Sequence, residues 1–437
     1  MMNQSIRNLS KSWLFLLVLG LLFGCGGSDR GENSGRKART TKDKTAPAAA
    51  PAATLNEIHF FMETSASMNG YLKGGTEFKD VVSEVVTKAN TIKPVTVYTI
   101  SEQPQLYKGN PAKFVQDLAT TPLASGRSSK LHTIFEQVAK KAGNNSIAIL
   151  VTDAILSFPD QEIRRNPDIN RTDASSVLKN NIYDEFVRMN RQGIGATVYA
   201  YRSAYNGTYY DYQNAKQTLN GETRPFYIWV IGKQELLNDF NERMQEMLTN
   251  QPAKTLSFGT GSALKKYDLF FSLNKKGDWR AKNGNITELK TKGGAPAEFA
   301  VGLDLNGLPA YAQTEDYIRK NLVVTAKDAS VKLANVQKKE AVTNTSRLSE
   351  REQRLLNQST HVLTFRVDNV FGDEANVAAR LPVKFDNWPE QWSTMDDRTA
   401  TGRQNKTFAL QHLMNGVKEA YQSATNDFLQ LTFKIEK

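Results

Sequence analysis

The sequence predicts an α/β protein: a doubly wound, mainly parallel sheet over residues 56–250, followed by a mostly-β sandwich region over 251–437. Three observations carry this. Over 56–250, short apolar runs alternate with segments whose apolar residues recur every three or four positions. One run, 146–151 (SIAILV), stays apolar from Ile147 to Val151, as a strand covered on both faces must. After residue 250 most segments alternate with a period of two.

The chain begins with a different signal. Arg7 and Lys11 precede an 11-residue apolar run, Trp13 to Phe23, too short to span a bilayer core of about 30 Å. It reads as the core of a signal peptide covering residues 1–24. The run ends in Leu22-Phe23-Gly24-Cys25, and Cys25 is the only cysteine. This stretch resembles the bacterial lipobox, with Phe23 where a small residue is usual. The resemblance implies cleavage before Cys25 and lipidation of its sulfur and new amine, palmitate among the acyl chains. Several acyl chains give lasting attachment, each buried CH₂ contributing about 0.8 kcal/mol. No aspartate directly follows the cysteine, so an outer-membrane destination is expected over inner-membrane retention.

Residues 25–55 comprise the lipidated cysteine and a tether. Residues 26–53 show no apolar periodicity and end in an Ala/Pro-rich stretch. A coil of this length spans about 30 Å end to end. Six bases (Arg30, Arg36, Lys37, Arg39, Lys42, Lys44) against three acids favour contact with an anionic leaflet. The remaining basic excess is spread thinly, so the membrane is an expected partner and nucleic acid is not.

The elements of 56–250 follow in order. Residues 58–62 (IHFFM) form a strand. Phe78, Val81, Val82, Val85, Val86 and Ala89 mark one face of a helix. Residues 94–100 (PVTVYTI) form a strand, and Leu131, Ile134, Phe135, Val138 and Ala142 a second helical stripe. The strand 146–151 comes next, then a helix over 174–192 closed by Gly193. Residues 196–201 and 225–231 are strands, and 233–249 a last helix.

In such sheets a ligand site lies at the carboxyl ends of the strands. Glu63, Ser65 and Ser67 follow the first strand. Asp153 follows the buried strand, and Ser128 and Ser129 precede the helix at Leu131. Acidic and hydroxyl oxygens gathered on one rim suit a hard cation such as Mg²⁺. This arrangement resembles a von Willebrand factor A (integrin I-type) domain and its metal-ion-dependent adhesion site, whose pattern is D-x-S-x-S-M, a threonine in G-x-T-x-L, and an aspartate in L-T-D. Ser65 and Ser67, followed by Met68, match the two serines, and Asp153 in 150–153 (LVTD) matches the aspartate. Ser129, two residues before Leu131, matches the threonine, with Ser128 in reserve. Glu63 departs from the pattern, being one methylene longer than aspartate. The resemblance implies that Glu63, Ser65, Ser67, Ser129 and Asp153 hold Mg²⁺ and that a carboxylate from a protein partner completes its coordination. It implies binding, not catalysis. A rim that has lost its metal and serves as a scaffold is the other reading of the same residues.

Six tyrosines fall between Tyr199 and Tyr212, running from a strand into a Gly/Asn-containing loop. Tyr205, Tyr209 and Tyr210 are candidate partner-binding residues, since tyrosine offers rigid area and a hydroxyl; local packing of the loop is the alternative. The polar segment 157–173 reads as a solvated loop or lid.

Seven strands are expected beyond residue 250: 254–259, 267–273, 297–305, 321–334, 360–368, 376–385 and 428–436. They suggest an immunoglobulin-like sandwich. Residues 340–358 read as a charged excursion, 406–424 as a helix packed on that sandwich, and Trp388 and Trp392 as plugs at its end or an exposed patch. The combined expectation is a non-catalytic lipoprotein of the cell envelope that binds a protein partner. The alternatives are a metal-free structural component of an envelope assembly and a metal-dependent hydrolase using Glu63 and Asp153.

Overall fold

The computed structural model describes residues 54–121, 123, 130–155, 160–259, 263–290, 295–343, 345–422 and 426–437. The lipobox with Cys25, most of the tether, and Ser128 and Ser129 lie outside them. Among the described residues no helix is long and apolar enough to cross a membrane.

The first sheet has seven strands: β1 (Glu57–Glu63), β2 (Val95–Ile100), β3 (Pro104–Leu106), β4 (Ser146–Thr152), β5 (Ile194–Tyr210), β6 (Lys216–Lys233) and β7 (Lys254–Phe258). Their order is β3-β2-β1-β4-β6-β5-β7. β1 pairs in parallel with β2 and β4, forming the expected parallel centre. β6 inserts antiparallel between β4 and β5, and β3 and β7 close the edges antiparallel. Thus β1, β2, β4 and β5 run one way and β3, β6 and β7 the other.

The helices of this half are α1 (Glu77–Ile92), α2 (Pro111–Thr120), α3 (Leu131–Ala139), α4 (Asp160–Arg165), α5 (Ile169–Asp173), α6 (Lys179–Arg191) and α7 (Gln234–Met247). The segment expected as a loop over 157–173 therefore contains two short helices. Strand alternation divides the apolar residues between two cores. Tyr227, Trp229 and Ile231 of β6 join Ala148 and Leu150 of β4 in a core with α3 and α6. Phe226, Ile228 and Val230 join Ile147, Ile149 and Val151 in the opposite core with α1, α2 and α7. Helices on both faces make the sheet doubly wound.

The next strands are β8 (Asp268–Phe270), β9 (Asp278–Lys282), β10 (Asn285–Lys290), β11 (Ala297–Leu303), β12 (Val323–Lys327), β13 (Ala329–Lys338), β14 (His361–Val370) and β15 (Glu374–Pro382). The short pair β16 (Ser393–Thr394) and β17 (Thr407–Phe408) and the final β18 (Asp427–Glu436) follow. Helices α8 (Ala310–Gln313), α9 (Glu315–Asn321), α10 (Glu350–Gln358), α11 (Trp388–Gln391), α12 (Ala400–Arg403) and α13 (Leu410–Tyr421) lie between them. Two sheets form, β12-β15-β18-β10-β9 and β13-β14-β11-β8. They share one core in which Phe299, Phe365 and Phe433 contact one another with ring centroids 5.1–5.6 Å apart.

Three expectations about the second region are corrected. The segment 254–259 is the edge strand β7 of the first sheet, paired with β5, so the first fold does not end at residue 250. The late helix α13 does not pack on the sandwich. Leu410, Leu413, Met414, Val417 and Tyr421 fill the core beneath α6, and the Tyr421 hydroxyl donates to the Ile194 carbonyl at 2.7 Å. A Cβ on Gly416 would meet the Lys179 carbonyl at 2.5 Å, so the two helices approach closely only with glycine there. Trp388 and Trp392 are buried in this same core, against Tyr227 and each other, rather than plugging the sandwich. The physical reason is the apolar face left on α3 and α6, which among the described residues α13 and the tryptophans cover.

The charged excursion 340–358 contains α10. The Ser349 hydroxyl accepts the Glu352 N–H at 3.3 Å and donates to the Glu352 carboxylate at 3.2 Å. This Ser-x-x-Glu pattern is a capping signal that the sequence reading passed over.

Candidate functional site

The strand ends β1 and β4 place the first acidic and hydroxyl groups. Parallel pairing sets Met62 beside Val151, so Glu63 and Thr152 emerge side by side. The Thr152 hydroxyl donates to Glu63 Oε2 and accepts the Ala154 N–H at 2.9 Å. Glu63 and Thr152 are buried. Behind Glu63 the chain turns at Thr64, whose N–H donates to the Ile100 carbonyl at 2.9 Å. A 3₁₀ turn over Ala66–Tyr71 follows. This turn brings the Ser65 and Ser67 hydroxyls within 3.0 Å of each other.

Asp153 ends β4. Its Oδ1 accepts the Ile155 N–H at 3.1 Å, and the chain reverses through Ala154 at a φ of 56°, a strained value for a residue with a Cβ. Its Oδ2 is buried without a hydrogen-bond partner among the described residues. Burial raises the Asp153 pKa, while the nearby Ser67 hydroxyl, the Ile155 N–H and the charge of Arg224 pull it back. Ser65, Ser67 and Asp153, far apart in sequence, therefore meet at one rim beside Glu63. The third expected hydroxyl, Ser129, lies outside the described residues.

The donor set suits a small hard cation in type: two hydroxyls, an orphaned carboxylate oxygen and a second buried carboxylate. It is poor in charge, and no cluster of three or more His, Cys, Asp or Glu occurs among the described residues. A fixed cation also stands near. Arg224 of β6 is buried; its Nη1 donates to the Arg403 carbonyl at 2.9 Å and its Nη2 to the Tyr209 hydroxyl at 3.2 Å. Its guanidinium lies 4.4 Å from the Tyr209 ring centroid. The Tyr209 hydroxyl donates to Asp397 Oδ2, and Asp397 Oδ1 accepts the Tyr212 N–H at 2.9 Å. Burial alone would lower the Arg224 pKa, but Tyr209, Tyr71, Asp397 and Asp153 raise it, so the group stays charged. Arg403 pairs with both oxygens of Glu222 at 2.9 and 3.0 Å, fixing the 396–408 segment to the same ribbon.

The tyrosine expectation is corrected. Residues 194–233 form a long antiparallel β5–β6 ribbon, not a strand followed by an open loop. Tyr205 and Tyr209 are each 1% exposed and belong to the core; only Tyr210 is half-exposed. Tyr205 lies edge-on to Tyr71 at 5.0 Å, and Tyr209 is covered by Arg224 and Asp397. Packing, rather than recognition, uses the first two rings. Arg224 and Asp397 were missed because neither stands in a motif. The one hint was an arginine directly preceding an apolar strand, 225–231 (PFYIWVI).

Compared with protein-family models, curated proteins and solved structures, the chain matches none.

Proposed function

We propose that this chain is a non-catalytic, lipid-anchored protein of the bacterial cell envelope, held at the outer membrane through Cys25, that grips a protein partner at the rim formed by Ser65, Ser67 and Asp153. On this reading the first fold is von Willebrand A-like and the second immunoglobulin-like. Mg²⁺ bound by Ser65, Ser67 and Asp153, with Glu63 and Ser129 completing the set, bridges to a carboxylate of the partner. The single observation that supports it is the buried Asp153 Oδ2, without a hydrogen-bond partner among the described residues, on a carboxylate that interacts with the Ser67 hydroxyl. A buried acceptor without a partner is costly and calls for a donor or a cation.

A second reading has its own observation. The buried guanidinium of Arg224 already supplies positive charge near Asp153, so the rim works as a metal-free scaffold of an envelope assembly. One experiment separates the two. The full chain is crosslinked in cells, the captured partner is identified by mass spectrometry, and capture is repeated with EDTA and with Asp153→Ala. Loss under both supports the bridged reading. Capture that survives EDTA but not Asp153→Ala supports the metal-free rim, and capture that survives both removes the rim from the interface.

A further inference from the structure

We propose that the chain carries a second binding site, for a neutral, hydroxyl-rich ligand of the saccharide class, in the cleft where the β7 edge of the first sheet meets α8 and α9. The cleft encloses about 700 Å³, the size of a small-molecule site. None of Glu63, Ser65, Ser67 and Asp153 lines it, so it is separate from the rim.

Its floor is polar where a helix-covered sheet is ordinarily apolar. The Tyr199 hydroxyl donates to Asn241 Oδ1 at 2.8 Å, Asn241 Nδ2 donates to Thr197 Oγ1 at 2.9 Å, and the Thr197 and Ser257 hydroxyls share a hydrogen bond at 2.9 Å. Thr197, Tyr199 and Asn241 are 2%, 3% and 8% exposed, so this chain of polar groups is held against a desolvation cost that apolar side chains would avoid. It leads to Ser257, which is half-buried. An amide has two donor hydrogens and two acceptor lone pairs, and these bonds use one of each on Asn241. Capacity to bind hydroxyl groups therefore remains in the cleft.

The facing wall supplies rigid aromatic surface. Tyr311 and Tyr317 stand edge to face with centroids 5.2 Å apart. Their hydroxyls are tied to backbone: Tyr311 donates to the Lys384 carbonyl at 3.4 Å, and Tyr317 donates to the Pro382 carbonyl at 3.1 Å and accepts the Lys384 N–H at 3.2 Å. With the hydroxyls engaged, what the rings offer is a rigid apolar platform for the C–H face of a sugar. The charged residues lining the cleft are Glu242 and Asp386 against Lys338 and Lys384, with no net sign. Such a lining draws neither an anion nor a cation, which leaves neutral polar ligands.

A strand-like peptide is the competing occupant, because β7 is the last strand of its sheet. The Trp388 indole N–H, however, donates to the Thr255 carbonyl of β7 at 3.3 Å and takes an edge acceptor that such a peptide needs.

The test uses the full chain on a glycan array, followed by saturation-transfer NMR and calorimetry with a linear N-acetylglucosamine trimer, maltotriose, a sulfated heparin fragment and a neutral extended peptide. At least one neutral oligosaccharide is expected to bind, with an affinity that changes less than about twofold between about 50 and about 500 mM salt. Gln245→Trp, at an exposed position lining the cleft, should fill it and weaken binding at least about tenfold while the thermal midpoint stays that of the wild type. Ser257→Ala should weaken binding with the same fold retained. The proposal is overturned by an array on which no neutral glycan binds, by binding confined to the sulfated probe, by peptide binding without saccharide binding, or by saccharide binding that Gln245→Trp leaves intact.

Discussion

A Cβ placed on Gly70 would lie 2.1 Å from the Tyr205 ring, so the turn carrying Ser65 and Ser67 closes onto the β5–β6 ribbon only because residue 70 has no side chain. The contact ties the site's first segment to an element more than a hundred residues away. Gly70→Ala should destabilise the chain by about 1–3 kcal/mol, the usual range for overpacking a filled core. Tyr205→Phe, which loses the hydrogen bond to the Thr208 carbonyl at 2.8 Å and the one from the Gly70 backbone, should cost about 1–2 kcal/mol. Urea denaturation of both variants checks this; equal stabilities would mean the turn relaxes freely.

Asp153 carries a proton more readily in the folded chain than in the unfolded one, because burial raises its pKa. Its linkage therefore runs opposite to that of most carboxylates: its contribution weakens as pH rises from the unfolded pKa through the folded one. Asp153→Asn should leave the melting temperature at pH 7 equal to or above that of the wild type. Added Mg²⁺ should raise the wild-type midpoint and leave the variant's unchanged. Calorimetric scans with and without the metal decide both points.

Glu352 has the ordinary sign. It is buried, yet it accepts the Phe271 N–H at 3.0 Å, the Ser272 N–H at 2.8 Å, the Ser272 hydroxyl at 2.7 Å and the Ser349 hydroxyl at 3.2 Å. Burial pushes its pKa up, and these bonds outweigh it, leaving the pKa lowered. Its stabilisation should be complete above the unfolded carboxylate pKa and vanish as pH falls through the folded one. Glu352→Gln should cost about 1–3 kcal/mol at pH 7 and flatten the acid limb of the stability curve, as measured by denaturation between pH 3 and pH 7. An unchanged acid limb would count against the assignment.

Arg224 and Asp397 are linked through the Tyr209 hydroxyl. Removing only the cation takes away the charge that offsets the buried Asp397 carboxylate while leaving its Tyr209 and Tyr212 hydrogen bonds, so Arg224→Met should cost about 1–3 kcal/mol. The double variant Arg224→Met/Asp397→Asn should lose less than the sum of the two singles, since the second change removes the stranded charge. A double-mutant cycle on thermal midpoints measures the coupling, and strict additivity would show the groups act independently.

Residues 54–259 contain every strand of the first sheet but not its full covering. Without Trp388, Trp392 and α13, the face formed by Phe186, Trp229 and Phe258 is open. A fragment ending at residue 259 should therefore expose apolar surface and lack a cooperative melt, whereas the full chain should melt cooperatively. Dye binding and near-ultraviolet circular dichroism distinguish the outcomes; a cooperatively folded fragment would refute the shared core.

Much of the first fold was legible because period and burial coincide there. The unbroken apolar run 225–231 and the three-to-four spacing from Phe78 to Ala89 each have one burial solution. The rim was legible in part: Ser65, Ser67 and Asp153 stand in a patterned context, directly after apolar strands. Arg224, Tyr209 and Asp397 were not, since nothing in local spacing tells a buried arginine from a solvated one.

By itself the sequence determined most strands and helices up to residue 249, though not β3, α2, α4 or α5, together with the polar oxygens at the strand ends and the two-sheet character of much of the second region, because each rests on contacts between near neighbours in the chain. Only the tertiary structure decided that β6 enters between β4 and β5, that β7 and α13 return to the first sheet, and that Tyr205 and Tyr209 pack inward. Those outcomes depend on which distant apolar face remains uncovered once the local elements have formed, and no local pattern records that.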